Sequence, residues 1–250
     1  MYSFFEKQQY KFTYSQKIHY TLRIASAMCF IGHGAFGIIT KEIGTNYFGF
    51  FGIGHQLSYS LMPVVGMVDI ACGIIILFYP LRAVIIWLVV WGFITALVRP
   101  LSGEPIAEFF ERAGNFGAPL ALLLLSGSFD FHLKNIFKRI SPTINMDKKP
   151  LASGTWVLSV VVCLLFMGHG WLNIIEKKAL IEQYARLGFV NPAFTARFIG
   201  IFEMLAGIAV LFRPARHFIF LLFLWKVTSE LFYPHHELFE WIERGGSYGA

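Results

Sequence analysis

Residues 66–82 read GMVDIACGIIILFYPLR, and residues 200–216 read GIFEMLAGIAVLFRPAR. Each run begins on a glycine, ends on an arginine, and holds a single acid, Asp69 or Glu203, at the same place. They also share Gly73 and Gly207 and the exit LF-x-P-x-R. Neither alternates apolar and polar residues with a period of two, as a barrel strand would, so in hydrocarbon only a helix can satisfy the backbone. The two stretches predict equivalent membrane helices, each carrying a carboxyl group in its interior.

The rest of the chain belongs to the same environment. Of its 250 residues 56% are hydrophobic and 14% charged, well below the roughly 25% charged of an ordinary soluble domain. Apolar runs approaching the roughly 20 residues that cross a bilayer core are expected at Tyr20 to Thr40, Ser58 to Tyr79, Ala83 to Val98, Phe116 to Phe131, Thr155 to Ile175, Phe194 to Phe212 and His217 to Phe232. The expected fold is therefore an all-α integral membrane protein with seven spans. Residues 1–19 form a polar segment with no small-residue cleavage site after the first span, which predicts that this helix is retained rather than removed as a signal peptide.

The formal net charge of +6 would suggest nucleic acid in a soluble protein, but here its distribution is what carries meaning. Lys7, Lys11, Lys17, Arg23, Arg82, Lys134, Lys138, Arg139, Lys148, Lys149, Arg213 and Arg216 fall on one side of the expected spans, and most acids on the other, together with Lys41, Lys177, Lys178 and Arg186. The positive-inside rule then predicts a cytoplasmic N-terminus, with the lipid bilayer as a partner and no nucleic acid. Cys29, Cys72 and Cys163 lie within spans without C-x-x-C spacing, so neither a disulfide framework nor a metal site is expected.

The repetition extends beyond the opening pair. FIGHGAFGI around His33 matches FMGHGWLNI around His169, Trp91 matches Trp225, Pro100 matches Pro234, and ERAGNFGA (111–118) matches ERGGSYGA (243–250), all in the same order. A duplication is expected: a four-helix unit at 20–132, a basic cytoplasmic linker at 133–152, and a second unit at 153–250 with three helices, its fourth either lost or lying beyond Ala250. An even number of spans per unit makes the two units parallel. EPIAEFFERAG and HELFEWIERGG are expected to be short interfacial helices capping the bundle.

Asp69 and Glu203 each lie eleven residues before the exit proline, about 16 Å into the membrane at 1.5 Å per residue. Ionisable groups at that depth are costly unless paired, and mark functional sites by default. His33 and His169 come from the first helix of each unit at similar depth, and Asp69 is expected to be protonated or hydrogen-bonded to a neighbour such as His33. Lys226 is expected to pair with Glu203, and Glu230 to share it; the first half has Gly92 in place of this lysine. That asymmetry points to one specialised site, sought first around His169. The structural alternative is that the histidines pack in the core, the glycines form a helix seam and the Glu203/Lys226 pair neutralises itself. Arg99, Arg112 and Arg197 are expected near anionic headgroups, an anionic substrate, or the neighbouring glutamates.

A Gly-His-Gly first helix, a second helix with an intramembrane acid and the LF-x-P-x-R exit, and a polar residue in the third resemble the DoxX-like superfamily, which includes the DoxD and DoxA subunits of thiosulfate:quinone oxidoreductase and the methylamine-utilisation protein MauE. The resemblance implies a subunit of the bacterial inner membrane associated with redox chemistry, working with other subunits rather than as an autonomous enzyme. His33, Asp69, His169, Glu203 and Lys226 would then form a quinone or proton site, the histidines and carboxylates hydrogen-bonding quinone carbonyls and exchanging protons. Two alternatives stand beside it: a haem b cytochrome with His33 and His169 as axial ligands on facing helices, and a non-catalytic scaffold, assembly subunit or small transporter built from parallel repeats.

Overall fold

The computed structural model describes residues 12–39, 42–126, 133–142, 148–232 and 238–250. In chain order its helices are α1 (Tyr14–Ile39), α2 (Glu42–Gly49), α3 (His55–Phe78), α4 (Arg82–Leu101), α5 (Ala107–Glu111), α6 (Ala113–Leu125) and α7 (Leu133–Ile136). After the linker come α8 (Lys148–Ile174), α9 (Lys178–Arg186), α10 (Pro192–Phe212), α11 (Arg216–Leu231), α12 (Leu238–Glu243) and α13 (Gly245–Tyr248). Among the described residues there is no strand, only an isolated bridge between Leu81 and Arg139.

Five helices, α1, α3, α4, α8 and α10, are long and apolar enough to cross a membrane, the architecture of a multi-pass helical membrane protein. The other two expected spans are shorter. α6 has 13 residues and α11 has 16, so they cover only about 20 and 24 Å; residues 127–132 and 233–237, which follow them, lie outside the described residues, as do Pro234, the neighbouring histidines His235 and His236, and Lys7, Lys11 and Lys41. Large apolar side chains such as Phe198, Leu205, Phe212, Phe220 and Leu221 stand exposed on α10 and α11, as they do on surfaces that meet lipid rather than water.

α1 begins earlier than the hydropathy suggests because Thr13 and Gln16 form a capping box: Gln16 Oε1 accepts from the Thr13 amide at 2.9 Å, and Thr13 Oγ1 accepts from the Gln16 amide at 3.3 Å. Ten residues further along α1 Arg23, expected as an interfacial charge, is buried and donates from Nε to the Ile76 carbonyl at 2.7 Å and from its other arm to Leu77. It thereby satisfies carbonyls left open at the C-terminus of α3. The linker fastens beside it, with Ile140 donating to the Pro80 carbonyl at 2.8 Å and Arg82 to that of Lys138 at 3.1 Å.

The first core is built by α1, α3, α4 and α6 around Leu22, Phe30, Ile76, Ile85, Leu88 and Leu122. The glycines of the two Gly-His-Gly motifs decide how it closes. A methyl group on Gly34 would collide with the Gly66 carbonyl, and one on Gly170 would lie 2.6 Å from the Gly200 carbonyl; α1 meets α3, and α8 meets α10, at backbone distance. The preceding glycines serve a different contact. Gly168 packs on α5, where an added methyl would stand 2.7 Å from the Ala107 carbonyl, and Gly32 packs on α12, 2.7 Å from that of Phe239. Each first helix is thus covered by the short helix of the other half. The short helices do not merely cap the bundle; they join its halves, which also touch where Gly246 approaches the Gly114 carbonyl.

Candidate functional site

Crossing at these glycines places each histidine against the acid of the neighbouring helix. His33 Nδ1 lies 2.7 Å from Asp69 Oδ2, and His169 Nδ1 lies 2.6 Å from Glu203 Oε2. Both carboxylates are buried, Asp69 to 1% and Glu203 to 0% exposure. In each pair the carboxylate accepts from Nδ1–H, which leaves Nε2 as the second functional nitrogen of the ring.

The surroundings of the two pairs differ. Around Glu203 both carboxylate oxygens have donors: Trp225 Nε1 donates to Oε1 at 3.0 Å, Asn173 Nδ2 to Oε2 at 3.4 Å, and Tyr184 to Asn173 Oδ1 at 2.8 Å, while Lys226 Nζ is buried without a hydrogen-bond partner. Lys226 Nζ stands 4.0 Å from Glu203 Oε1, an ion pair beyond hydrogen-bond reach. The indole of Trp225 has the position at the carboxylate that Lys226 was expected to fill. Glu230, expected to share Lys226, pairs instead with Arg244 Nε at 3.1 Å. Beside His169 the free space is about 10 Å³, room for about one water. A second small space of about 70 Å³ lies between Lys226, Glu230, Arg244 and Tyr248.

Around Asp69 the site is open. A cavity of about 550 Å³ is lined by His33, Asp69 and Trp91, by the apolar Phe36, Phe48, Met62, Val65, Ile94 and Val98, and by Tyr47, Arg99, Arg112, Glu240 and Glu243. Two polar atoms of its lining residues, Asp69 Oδ1 and Trp91 Nε1, are buried without any hydrogen-bond partner. Trp91 is held in place by stacking on Trp87, with ring centroids 5.6 Å apart. His33 keeps 28% of its side chain exposed, and among the described residues no partner takes its Nε2. The larger space is therefore at His33, while the site was sought first around His169. Asp69 is one methylene shorter than Glu203, so it does not span to the tryptophan that its counterpart reaches.

The difference between Gly92 and Lys226 also has a packing cause. A methyl group on Gly92 would stand 2.8 Å from the Asn115 carbonyl of α6, so α4 has no room for a side chain there. Lys226 on α11 faces the small space beside Tyr248 instead.

One end of the open cavity is rimmed by fixed charges. Arg99, in the last turn of α4, donates to the Tyr47 hydroxyl at 2.8 Å and pairs with Glu104 at 3.4 Å, and Tyr47 donates to Glu104 at 2.5 Å. Burial pushes the Tyr47 phenol up from its ordinary value, so it stays protonated as the donor. Arg112 pairs with Glu108 at 2.6 Å and Glu111 at 3.4 Å; Glu108 also meets Lys177 at 2.8 Å, and Glu111 meets Arg244 at 3.1 Å. Burial works to raise the Glu111 carboxyl, but the charges of Arg244, Lys177 and Arg112 outweigh it and hold the group well below the usual carboxylate range. Arg197 pairs with Glu176, Nε to Oε1 at 2.7 Å. All three arginines thus have glutamate partners.

His33 and His169 are not brought onto one ligand. Each is tied to the acid of its own half, the His33 cavity is not lined by His169, and α1 and α8 both pack against α6. Among the described residues no three His, Cys, Asp or Glu side chains are grouped as metal ligands would be. Trp91, Tyr47, Glu243, Asn173, Tyr184 and Trp225 are the polar neighbours that sequence reasoning did not assign to the sites. The repeated Trp91 and Trp225 were the available signal, since a tryptophan kept beside a buried acid in both halves supplies an indole donor. No protein-family model, curated protein or solved structure matches the chain.

Proposed function

We propose that this protein is a polytopic subunit of a bacterial inner membrane redox system that holds a quinone-type ring in the His33 cavity. The observation that carries this reading is the conjunction, in one largely apolar cavity of about 550 Å³, of a histidine–carboxylate pair with two buried polar atoms left without partners. Cavities of roughly 300 to 1,000 Å³ with apolar walls and a few convergent polar groups are the usual form of a small-molecule site. The lining fits such a ring: Phe36, Phe48 and Ile94 offer apolar faces, while His33, Asp69 and Trp91 offer hydrogen bonds at the edge.

A bound quinone supplies two-electron chemistry accompanied by two protons, with partner redox subunits as the source or sink of the electrons. The chain's own part is to bind and to move protons. His33 Nε2 accepts a proton from a ligand oxygen or returns one, and Asp69 on Nδ1 orients the ring. The Arg99–Tyr47–Glu104 cluster fixes α2 against the end of α4 over the cavity.

The matched pairs and reciprocal glycine contacts support a reading of the chain as two parallel DoxX-like units with seven spans in all and the basic linker in the cytoplasm. In that reading the second unit keeps its histidine and acid as a structural network, and only the first retains a ligand site. The haem b alternative has no comparable support, because it needs both histidines on one ligand.

The test is binding of decylubiquinone to the purified chain in detergent, followed by quenching of tryptophan emission, together with analysis of extracted lipid for copurifying quinone. Saturable quenching that is weakened at least tenfold by His33→Ala and little changed by His169→Ala is the expected result. Absence of saturable binding to the unaltered protein would overturn the proposal.

A further inference from the structure

We propose that the His33 cavity selects the reduced, hydroxyl-bearing form of its ring, a hydroquinone, and that the short side chain of Asp69 creates this selectivity. The inference rests on the quinone-type reading above and goes beyond it by naming which oxidation state the site is built to hold.

The second half is the internal reference. There Glu203 Oε1 receives the Trp225 indole N–H at 3.0 Å, so acceptor and donor satisfy each other. In the first half the same two helices present Asp69 and Trp91, and the missing methylene shortens the reach by about 1.5 Å. The bond is not made, and both Asp69 Oδ1 and Trp91 Nε1 are left buried and unpartnered in residues that line the same cavity. Buried polar groups without partners are costly, so a ligand that answers both is favoured.

Such a ligand must accept from an indole N–H and donate to a carboxylate. Hydroxyl groups do both, whereas carbonyl oxygens can only accept. A quinone's carbonyls would satisfy Trp91 but offer Asp69 Oδ1 only lone pairs, with no proton between them. His33 adds to the preference, because Nδ1 is held by Asp69 and the neutral ring offers Nε2 as a further acceptor for a ligand hydroxyl. The remaining charged groups on the cavity do not reverse it. Arg99 is engaged by Tyr47 and Glu104, Arg112 by Glu108 and Glu111, and Glu240 and Glu243 are acids that offer no donor when ionised.

The experiment compares decylubiquinol and decylubiquinone by anaerobic equilibrium dialysis against the full chain in detergent. The unaltered protein should bind the quinol at least about tenfold more tightly, which for a two-electron couple raises the midpoint potential of the bound pair by about 30 mV. Asp69→Glu, whose longer side chain can reach Trp91 as Glu203 reaches Trp225, should bring the preference below about threefold. If that variant elutes as aggregate, Asp69→Asn takes its place, since a carboxamide can donate to a carbonyl and should likewise erase the preference. Equal or tighter binding of the quinone to the unaltered protein, or an undiminished preference in a folded position-69 variant, overturns the inference while leaving a quinone site intact. Binding of neither form overturns the underlying functional reading as well.

Discussion

Replacing Glu203 by alanine should destabilise the protein far more than replacing Asp69, although the two acids occupy equivalent places. Glu203 is fully buried and takes hydrogen bonds from His169, Trp225 and Asn173, with Lys226 at 4.0 Å. Its removal strands the buried Lys226 ammonium and takes the acceptor from the Trp225 indole N–H. Breaking a buried ion pair from one side costs about 3–5 kcal/mol, and an orphaned buried donor about 1–3 kcal/mol. These overlap because the same side chain serves both, so about 3–5 kcal/mol is expected in total. Asp69 has one partner, His33, whose ring reaches the open cavity and can be hydrated there once the carboxylate is gone. One hydrogen bond with a charged partner is worth about 1.5–3 kcal/mol, and hydration of His33 holds the expected loss for Asp69→Ala at the lower end of that range. The assay is equilibrium unfolding in mixed micelles with increasing SDS, followed by tryptophan emission. Adding Lys226→Met to Glu203→Ala should recover at least about 1 kcal/mol by removing the stranded charge. A loss below about 1 kcal/mol for Glu203→Ala, or equal losses for the two acids, would refute the division into a closed structural network and an open site.

Gly34→Ala and Gly170→Ala should each cost about 1–3 kcal/mol, the usual price of overpacking, because the added methyl meets the backbone of Gly66 or Gly200; Gly49→Ala, with nothing within 4 Å, is the control and should be near neutral in the same unfolding assay. Acid stability should follow Glu108 and Glu111. Burial raises both carboxyls, but Arg112 with Lys177 for Glu108, and Arg244 with Lys177 and Arg112 for Glu111, leave them lower than usual in the folded protein. Their contribution is complete above the unfolded value of about 4.3 and is lost as pH falls through the lower folded value. Melting temperature should therefore fall below about pH 4, and Glu111→Gln should lower stability at neutral pH and flatten that acid limb.

Much of the site was legible in one dimension. A buried acid and a buried histidine recur in matched helices, and charge at that depth requires a partner; the His33–Asp69 contact follows from that requirement and from the depth each residue reaches. The short helices α2 and α9 were not legible from hydropathy, because each follows a long apolar run and, at 8 and 9 residues, is too short to stand out in a window of span length. The T-x-x-Q capping box that begins α1 was present at Thr13 and Gln16, yet an apolar window passes over a polar cap. The covering of Gly32 by α12 and of Gly168 by α5 had no local signal, since a glycine flanked by apolar residues suits any close neighbour.

By itself the sequence determined the helical, lipid-facing class of the chain, the equivalence of its two histidine–acid motifs, and the glycines that let their helices touch. Those follow from composition, periodicity and the cost of unpaired polar groups in hydrocarbon. Only the tertiary structure decided which copy is open. The difference between Asp69 and Glu203 is one methylene, and its consequence depends on where an indole from a third helix stands. In the second half that indole meets the carboxylate at 3.0 Å; in the first it does not, and a cavity of about 550 Å³ lies beside the unpaired groups.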